Sequence, residues 1–254
     1  MEGGDAMMVR GKRAIVASML SAAVALAALS GPLSKAEAVT YNLAADWSDS
    51  SNPNGPWSYR DGAGAITTHQ DNWSTFATPQ PAWAAAATGS GHIVSWFKSV
   101  NTTSDFVSGD VITHTWDSGS GLPDRAPSWL MWTSPFNAEI DITGDVWLAR
   151  HNERNAGFSL FVNGVATSIG NSSLSDTNRN SRDVFSLSNL LIPQGNTVAL
   201  RFDTVGTSGE FVGVNLNIDA TPVPEPATLL LLGSGLAGLG WFGRKRRKDH
   251  DREA

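Results

Sequence analysis

The sequence predicts an all-β fold, a jelly-roll-like β-sandwich core flanked by an N-terminal signal helix and a C-terminal apolar helix. Apolar and polar residues alternate along Glu139–Leu148, which is the period of a half-buried strand. Further segments of this kind follow at near-regular spacing, with Gly, Asn, Asp and Pro between them. No window of the central region holds a helical period. Together these patterns indicate two packed β-sheets.

The predicted strands can be placed in order along the chain. Phe158–Val162 runs into Asn163-Gly164, the strongest short hairpin signal, before Val165–Thr167. The polar segment Ser172–Ser181 is predicted to be a surface loop, and Pro81–Ala87 has room for one or two helical turns. The other candidate strands are Ile93–Phe97, Val111–Trp116, Ser128–Trp132, Glu139–Leu148, Val198–Phe202 and Val212–Ile218.

The N-terminus has the layout of a secretory signal peptide. A basic region, an apolar run and a small-residue site follow one another: Arg10, Lys12 and Arg13, then Ala14–Ser30, then Ala36-Glu37-Ala38. Ala36 and Ala38 supply the small side chains that signal peptidase accepts before its cut. We therefore expect residues 1–38 to be the signal peptide and Val39 to begin the mature chain.

The C-terminal region is typical of a short membrane anchor. Its three parts are Val223-Pro224-Glu225-Pro226, the uncharged apolar run Ala227–Phe242, and the basic cluster Arg244-Lys245-Arg246-Arg247-Lys248. At about 1.5 Å per helical residue, the run is short for a hydrocarbon core of ~30 Å. By the positive-inside rule, the basic cluster places the tail in the cytoplasm and the preceding domain outside the inner membrane.

This tail resembles the PEP-CTERM sorting signal, which also carries the label ice-binding protein C-terminal domain. The resemblance implies sorting by an exosortase, a membrane protease of Gram-negative bacteria. Cleavage near Pro224-Glu225-Pro226 would release the core to the cell surface or the extracellular matrix. We therefore expect a β-sandwich domain at 39–221, a sorting signal with a short transmembrane helix at 222–248, and a cytoplasmic tail at 249–254.

The region between the two signals is acidic and contains no cysteine. From Val39 to Thr221 there are 17 Asp and Glu against 8 Lys and Arg, so its net charge is near −9. Such a charge repels the phosphates of nucleic acid, which we exclude as a partner. The absence of cysteine from the sequence excludes thiol catalysis, disulfides and Cys-ligated zinc.

We expect no cofactor and no metal. No phosphate-binding or dinucleotide-binding fingerprint occurs, and the histidines lack the spacing of a zinc enzyme. Some acidic residues are hard oxygen ligands of the kind that Ca²⁺ prefers, but they lack the spacing of a calcium loop. These residues are Asp46, Asp49, Asp141, Asp145 and Glu210.

The core also resembles the β-sandwich regions that often precede PEP-CTERM tails. Four segments carry the resemblance: Asn52-Pro53-Asn54-Gly55-Pro56-Trp57-Ser58-Tyr59, Val111-Ile112-Thr113-His114, Trp132-Thr133-Ser134-Pro135 and Val162-Asn163-Gly164. The His-Pro-Gly tripeptide usual in such regions is absent, because Thr115-Trp116 follows His114. The resemblance implies a sandwich like those of galactose-binding or other carbohydrate-binding modules, without a known activity.

Tryptophan is abundant, and nine of the ten lie between the two signals. Most are expected to fill the interior of a sandwich that has no disulfides. Flat indole faces also stack on sugar rings, so exposed ones are candidate carbohydrate contacts. Trp147 lies on the polar phase of its strand, and Trp57 and Trp129 lie in segments rich in Pro, Asn and Asp. We predict these three as the carbohydrate contacts.

Glu139-Ile140-Asp141-Ile142 supports an alternative function. It resembles part of the Glu-x-Asp-x-x-Glu signature of laminarinase-like glycoside hydrolases, in which two carboxylates act as nucleophile and acid/base. Gly144 occupies the position of the second catalytic carboxylate, and Asp145 follows one residue later. Adjacent strand residues point to opposite faces. We therefore expect Asp145 to act as the second catalytic carboxylate only if Gly144 forms a bulge.

The sequence thus predicts a non-catalytic protein of the cell surface or matrix that associates with exopolysaccharide. Its other predicted partners are signal peptidase, an exosortase and, transiently, the inner membrane. The alternative is an extracellular glycoside hydrolase that uses Glu139, Asp141 and Asp145.

Overall fold

A computed structural model describes residues 37–62, 64–75, 78–86, 93–117, 126–150, 153–223, 233–235 and 238. The predicted signal helix, Ala36, Pro224-Glu225-Pro226 and the basic cluster Arg244–Lys248 lie outside the described residues. Residues 233–235 and 238, in the predicted C-terminal helix, are helical. None of the helical residues described belongs to a helix with the length and apolar character needed to cross a membrane.

The described residues form a fold of antiparallel strands. In chain order these are β1 (Val39–Asn42), β2 (Trp57–Asp61), β3 (Gly64–Ala65), β4 (His69–Thr75), β5 (Thr78–Ala84), β6 (Ser95–Lys98), β7 (Val111–His114), β8 (Ser128–Thr133), β9 (Ala138–Leu148), β10 (Asn155–Val162), β11 (Val165–Asn171), β12 (Asp183–Ile192), β13 (Thr197–Val205) and β14 (Phe211–Pro222).

The strands form two sheets, which confirms the predicted β-sandwich. The eight-stranded sheet has the order β12-β9-β14-β7-β6-β5-β4, and β1 pairs with the end of β14. The six-stranded sheet has the order β11-β10-β13-β8-β2-β3. Because most neighbouring strands in these sheets are not consecutive in sequence, the chain crosses repeatedly between the two layers, as in sandwiches with Greek-key connections.

One hydrophobic cluster fills the space between the sheets. Ile140 and Ile142 of β9 face Leu200 and Phe202 of the other sheet within this cluster, and all four are fully buried. β9 alternates buried and exposed residues over most of its length, as its sequence predicts. Burying one face of each sheet supplies the main stabilisation of a domain that has no disulfide.

The structure differs from two of the local predictions. Pro81–Ala84 belongs to the strand β5 rather than to a helical turn, because it pairs with β4 and β6. The polar loop Ser172–Ser181 joins β11 to β12, but it is not wholly at the surface. Leu174 within it is fully buried, and the Thr177 hydroxyl oxygen accepts a hydrogen bond from the Leu148 N–H (3.0 Å).

Candidate functional site

The expected exposure of Trp57 is wrong. β2 starts at this residue, and Trp57 lies opposite Trp132 on the inner face of the six-stranded sheet. Its side chain is 0% exposed, and its indole Nε1 donates a hydrogen bond to Oδ2 of Asp46 (3.0 Å). An indole without accessible surface cannot stack on a sugar ring, so Trp57 does not form part of a candidate site in this conformation.

The expected exposure of Trp147 is also wrong, although its strand phase is correct. Trp147 follows Asp141 and Asp145 on the outer face of the eight-stranded sheet, yet it is only 1% exposed. The Arg182 guanidinium covers the ring at 4.3 Å from its centre, and Gly213 of β14 lies against its other side. The loop after β11 therefore closes a face that the alternation alone predicts to be open.

Trp129 is the predicted contact that keeps accessible surface. In β8, Ser128, Leu130 and Trp132 are buried, and the residues between them point to the outer face and are half-buried. Trp129 packs against Phe161 of β10, with ring centres 5.1 Å apart and an angle of 53° between the rings. This packing fixes the orientation of the indole while leaving part of it open to solvent.

Two arginines flank Trp129 on the same face of the sheet. Arg60 of β2 and Arg201 of β13 lie directly opposite Trp129 in its two ladders, so the three side chains form one row. The Arg201 guanidinium lies 5.8 Å from the centre of the Trp129 ring. It also forms an ion pair with Asp203, two residues further along β13, at 2.6 Å. An aromatic face thus lies beside fixed donors and acceptors.

A cavity of about 370 Å³ continues this surface towards β11. Ser159 and Asp203 line the cavity, and Ser159 lies opposite Arg201 in the ladder between β10 and β13. The ladder between β10 and β11 changes register between Ser159 and Phe161. The cavity is lined by Gly157, Phe158, Ser159, Thr167, Ser168, Ile169, Gly170, Asn171, Ser172, Asp203 and Val205. We call the combination of this cavity with Arg60, Trp129, Phe161 and Arg201 the Trp129 surface.

The carboxylates of β9 do not form the predicted hydrolase pair. β9 runs without a bulge at Gly144, since its ladder with β14 is continuous from Leu148 to Ala138. The expected need for a bulge is wrong, because positions 139 and 145 are an even number of residues apart and share a face of a regular strand. They are nevertheless six positions apart, or about 20 Å at ~3.4 Å per residue. Retaining glycosidases need about 5 Å between the two carboxyl groups, and inverting ones need about 6.5–9.5 Å. The hydrolase assignment of Glu139 with Asp145 is wrong for this geometric reason.

Three of the acidic residues considered as calcium ligands instead accept hydrogen bonds from separate parts of the protein. Asp145 accepts hydrogen bonds from Arg182 (2.9 Å) and Asn215 (3.0 Å), and Asp141 accepts one from the backbone N–H of Asn189 (2.8 Å). Asp49 accepts one from Nε1 of Trp47 (2.9 Å). Over the part of the chain that the structure describes, no three His, Asp or Glu side chains come together as metal ligands.

The Asn-Pro-Asn-Gly-Pro-Trp-Ser-Tyr segment has a structural role. The Asn52 amide accepts a hydrogen bond from the Tyr59 N–H (2.9 Å) and donates to the carbonyl oxygens of Tyr59 (2.7 Å) and Ile66 (2.8 Å). These bonds hold the start of β2 against the segment after β3. His114 is buried, with Nδ1 3.1 Å from the Ile93 carbonyl oxygen, and contacts Phe211. Neither residue contributes to the Trp129 surface.

The ends of the predicted mature domain lie side by side. Val39, which begins β1, is opposite Ala220 of β14. Ala38, at the predicted signal-peptidase site, is exposed and precedes β1. Val223 follows β14, is exposed, and donates its N–H to the carbonyl oxygen of Asn137 (2.8 Å).

Sequence reasoning missed Arg60, Phe161, Arg201 and Asp203 as parts of the Trp129 surface. Arg201 and Asp203 alternate with the apolar residues of β13, so their outward direction could be read from the sequence. Their position beside Trp129 could not, because it depends on the pairing of β13 with β8, more than sixty residues away.

Comparison with known proteins identifies the C-terminal signal. The family model described as a PEP-CTERM protein-sorting motif matches residues 222–247. No curated protein sequence matches the chain.

Several solved structures are similar to the chain. The xylan-binding module CBM15 has 10% identity and a TM-score of 0.35, over 74% of this chain and 100% of its own. The CBM22-1 xylan-binding domain from Paenibacillus barcinonensis has 9% identity and a TM-score of 0.35, over 75% and 98%. The K2 adhesin domain of Lys-gingipain has 10% identity and a TM-score of 0.38, over 72% and 99%. The chain thus combines a β-sandwich with a PEP-CTERM sorting motif, a signal for export and sorting to the cell surface in Gram-negative bacteria.

Proposed function

We propose that this protein is exported, sorted and released by an exosortase, and that its β-sandwich then binds exopolysaccharide on the Trp129 surface without cleaving it. The sorting half of the proposal rests on the motif at residues 222–247. The binding half rests on one observation: a half-buried indole on the outer face of a sheet, next to charged side chains and an open cavity.

The chemistry of the Trp129 surface suits a sugar ring. The C–H groups on one face of a pyranose pack against an indole, which removes apolar area from water. Arg201 and Asp203 are held by their ion pair and supply several donors and acceptors for neighbouring hydroxyl groups. The cavity beside them, lined by Ser159 and Asn171, offers room for a second ring or a side branch.

The fold also supports a binding role rather than a hydrolytic one. Glu139 and Asp145 are about 20 Å apart along β9, too far for either glycosidase geometry. Asp141, which lies between them, accepts a hydrogen bond from the Asn189 backbone N–H. Asp203 of the Trp129 surface is engaged by Arg201. We therefore assign hydrogen bonding, not general acid catalysis, to this carboxylate.

For the tail we propose a temporary anchor. The uncharged run Ala227–Phe242 would enter the inner membrane, and Arg244–Lys248 would hold its end in the cytoplasm. Cleavage near Pro224-Glu225-Pro226 would then free the sandwich for the matrix. Glu225 and its neighbouring prolines act in this scheme as recognition elements of a substrate, not as catalysts.

The sorting step is tested by replacing Pro224-Glu225-Pro226 with three alanines in cells that produce the exosortase. The proposal predicts that the altered protein stays in the membrane fraction and that the wild type appears in the medium without its tail. Equal release of both proteins would contradict it.

The binding step is tested with the released protein and the exopolysaccharide of the same cells. Affinity electrophoresis in gels that contain the polysaccharide is expected to retard the released protein in proportion to polysaccharide concentration. Mobility that is unchanged at every concentration would contradict the proposal. Analysis of the gel eluate for reducing ends separates binding from cleavage.

A further inference from the structure

Both terminal signals leave the sandwich from one end, and that end has an unusual surface. β14 finishes at Pro222, where the sorting motif begins, and β1 starts at Val39 beside Ala220. The turns at residues 134–137, 163–165 and 193–196 lie at the same end. We call these turns, together with Pro222 and Val223, the exit end.

Hydrogen bonds join the parts of the exit end into one surface. The backbone oxygen of Asn137 accepts the Val223 N–H (2.8 Å), and its side-chain oxygen accepts the Gln194 N–H (2.9 Å). Ser134 exchanges backbone hydrogen bonds with Gly195 and Asn196, each of 2.8 Å. The point where the chain leaves the sandwich is therefore bonded to the turn 134–137, and that turn is bonded to the turn 193–196.

The exit end carries no charge. Residues 134–137, 163–165, 193–196 and 222–223 contain no Asp, Glu, Lys, Arg or His, although the domain is strongly acidic. At the opposite end, the segments after β9 and β11 hold several ionic side chains, namely Arg150, Glu153, Arg154, Asp176, Arg179 and Arg182. The two ends of the sandwich thus differ sharply in the cost of moving them out of bulk water.

The exit end also carries exposed apolar side chains. Seven large hydrophobic residues are exposed in the part of the chain that the structure describes. Two of them, Val165 and Val223, belong to the exit end. Val39 and Leu191 lie within two ladder positions of it, where Leu191 pairs with the exposed Glu139. A charge-free surface with exposed aliphatic side chains fits the interfacial region of a lipid bilayer.

The length of chain beyond Val223 sets the distance to the membrane. Only residues 224–226 separate Val223 from the apolar run that starts at Ala227. Four residue steps span at most about 14 Å when fully extended. The headgroup region on each side of the hydrocarbon core is itself roughly 5–8 Å thick. With the tail inserted, the exit end therefore lies in or just above the headgroups.

We propose that, before release, the exit end rests on the outer leaflet of the inner membrane and that the sandwich stands upright on it. This inference depends on the tail anchor proposed above. In this orientation the charged opposite end points away from the lipid. The sheet faces, including the Trp129 surface, remain accessible from the side. The partner of the exit end is the lipid surface itself.

Single-cysteine reporters test the orientation, because the chain has no cysteine of its own. Gln194→Cys places an environment-sensitive fluorophore at the exit end, and Asn180→Cys places the same fluorophore in the loop at the opposite end; both positions are exposed. Each unreleased protein would be purified from membranes of cells that lack the exosortase. It is then reconstituted in vesicles of phosphatidylethanolamine and phosphatidylglycerol that contain a headgroup-level nitroxide lipid.

The proposal predicts quenching at position 194 that is several-fold stronger than at position 180. Adding Val165→Glu and Leu191→Glu, two exposed positions, should return the fluorescence at position 194 to its value in water. Vesicle flotation of the same samples separates the proposed tail anchor from the proposed orientation of the sandwich. Proteins that float but show equal quenching at both ends would overturn the orientation alone. Proteins that do not float would overturn the tail anchor and the orientation with it.

Discussion

Gly213 of β14 lies directly opposite Trp147 of β9, and the indole occupies the space that a side chain at position 213 would need. Arg182 covers the ring from the other side and also binds Asp145. Trp147 is thereby enclosed on the outer face of a sheet, between a glycine backbone and a guanidinium group. This arrangement explains why a tryptophan on the solvent phase of its strand has no accessible surface.

Gly213→Ala is expected to lower the free energy of unfolding by about 1–3 kcal/mol, because the new methyl group collides with the Trp147 ring and forces overpacking. Urea unfolding followed by tryptophan fluorescence measures the change. Gly64→Ala is the matched control, since no atom lies within 4 Å of the position its methyl group would take. Equal stability of the two variants would contradict the enclosure of Trp147.

The environment of Tyr59 leads us to expect that the folded protein loses stability at alkaline pH. Burial, and next the nearby carboxylates Asp49 and Asp46, raise the pKa of this phenol above its ordinary value of 10.0. The folded state therefore keeps the proton that the unfolded state releases. The resulting stabilisation is fully present below pH 10 and is lost as pH rises from there towards the folded pKa.

Tyr59→Phe should weaken this alkaline dependence of the unfolding free energy, since it retains the ring and removes the titrating group. Tyr41→Phe is the comparison variant, because Tyr41 is the only other tyrosine of the sequence. Its pKa is also raised, but its side chain is less buried than that of Tyr59, so its removal should affect the alkaline dependence less. Tyrosinate absorbance provides a direct check: the Tyr59 signal should appear together with unfolding. Full ionisation of Tyr59 near pH 10 in the folded protein would refute this prediction.

Mass spectrometry of the exported protein is expected to find Val39 at its N-terminus. Ala36 and Ala38 suit signal peptidase, and β1 begins at Val39, so the cut would leave the first strand intact beside β14. Ala38→Pro should block processing and leave the precursor in the membrane fraction. A mature N-terminus within β1 would rule out this cleavage site.

Glu139→Gln is expected to change nothing in an assay for reducing sugar released from β-glucan. The side chain is exposed on a regular strand, and Asp145 lies about 20 Å away along it. The wild type and the variant should both give the background rate. Hydrolysis by the wild type that disappears in Glu139→Gln would revive the glycosidase alternative.

The sequence was most informative where a strand has one clean face. The alternation of β9 predicts both its extent and the direction of its acidic residues, and Asn163-Gly164 predicts the turn between β10 and β11. Both turn residues adopt positive φ, 53° for Asn163 and 75° for Gly164, as a tight hairpin requires.

The sequence was least informative about irregular strands, about loops that cover a sheet face, and about which strands pair. β12 was not predicted because its apolar pattern shifts at a bulge between Leu187 and Leu190, and Leu191 is left exposed. Alternation assigned Trp147 to the outer face, but the covering Arg182 comes from a loop thirty-five residues later. The Trp129 surface likewise depends on non-local pairing of β8 with β2 and β13. Such pairings are not encoded in any local window.

The most direct test of the account is the affinity of Trp129 variants for the exopolysaccharide, measured by titration calorimetry with the released protein. Trp129→Ala is expected to bind roughly tenfold more weakly, because loss of a stacked ring removes about 0.5–1.5 kcal/mol beyond its buried area. Trp129→Phe should lose less, and Val184→Ala, an exposed position on the other sheet, should bind as the wild type does. Unchanged affinity of a folded Trp129→Ala protein would contradict the proposal that this surface binds the glycan.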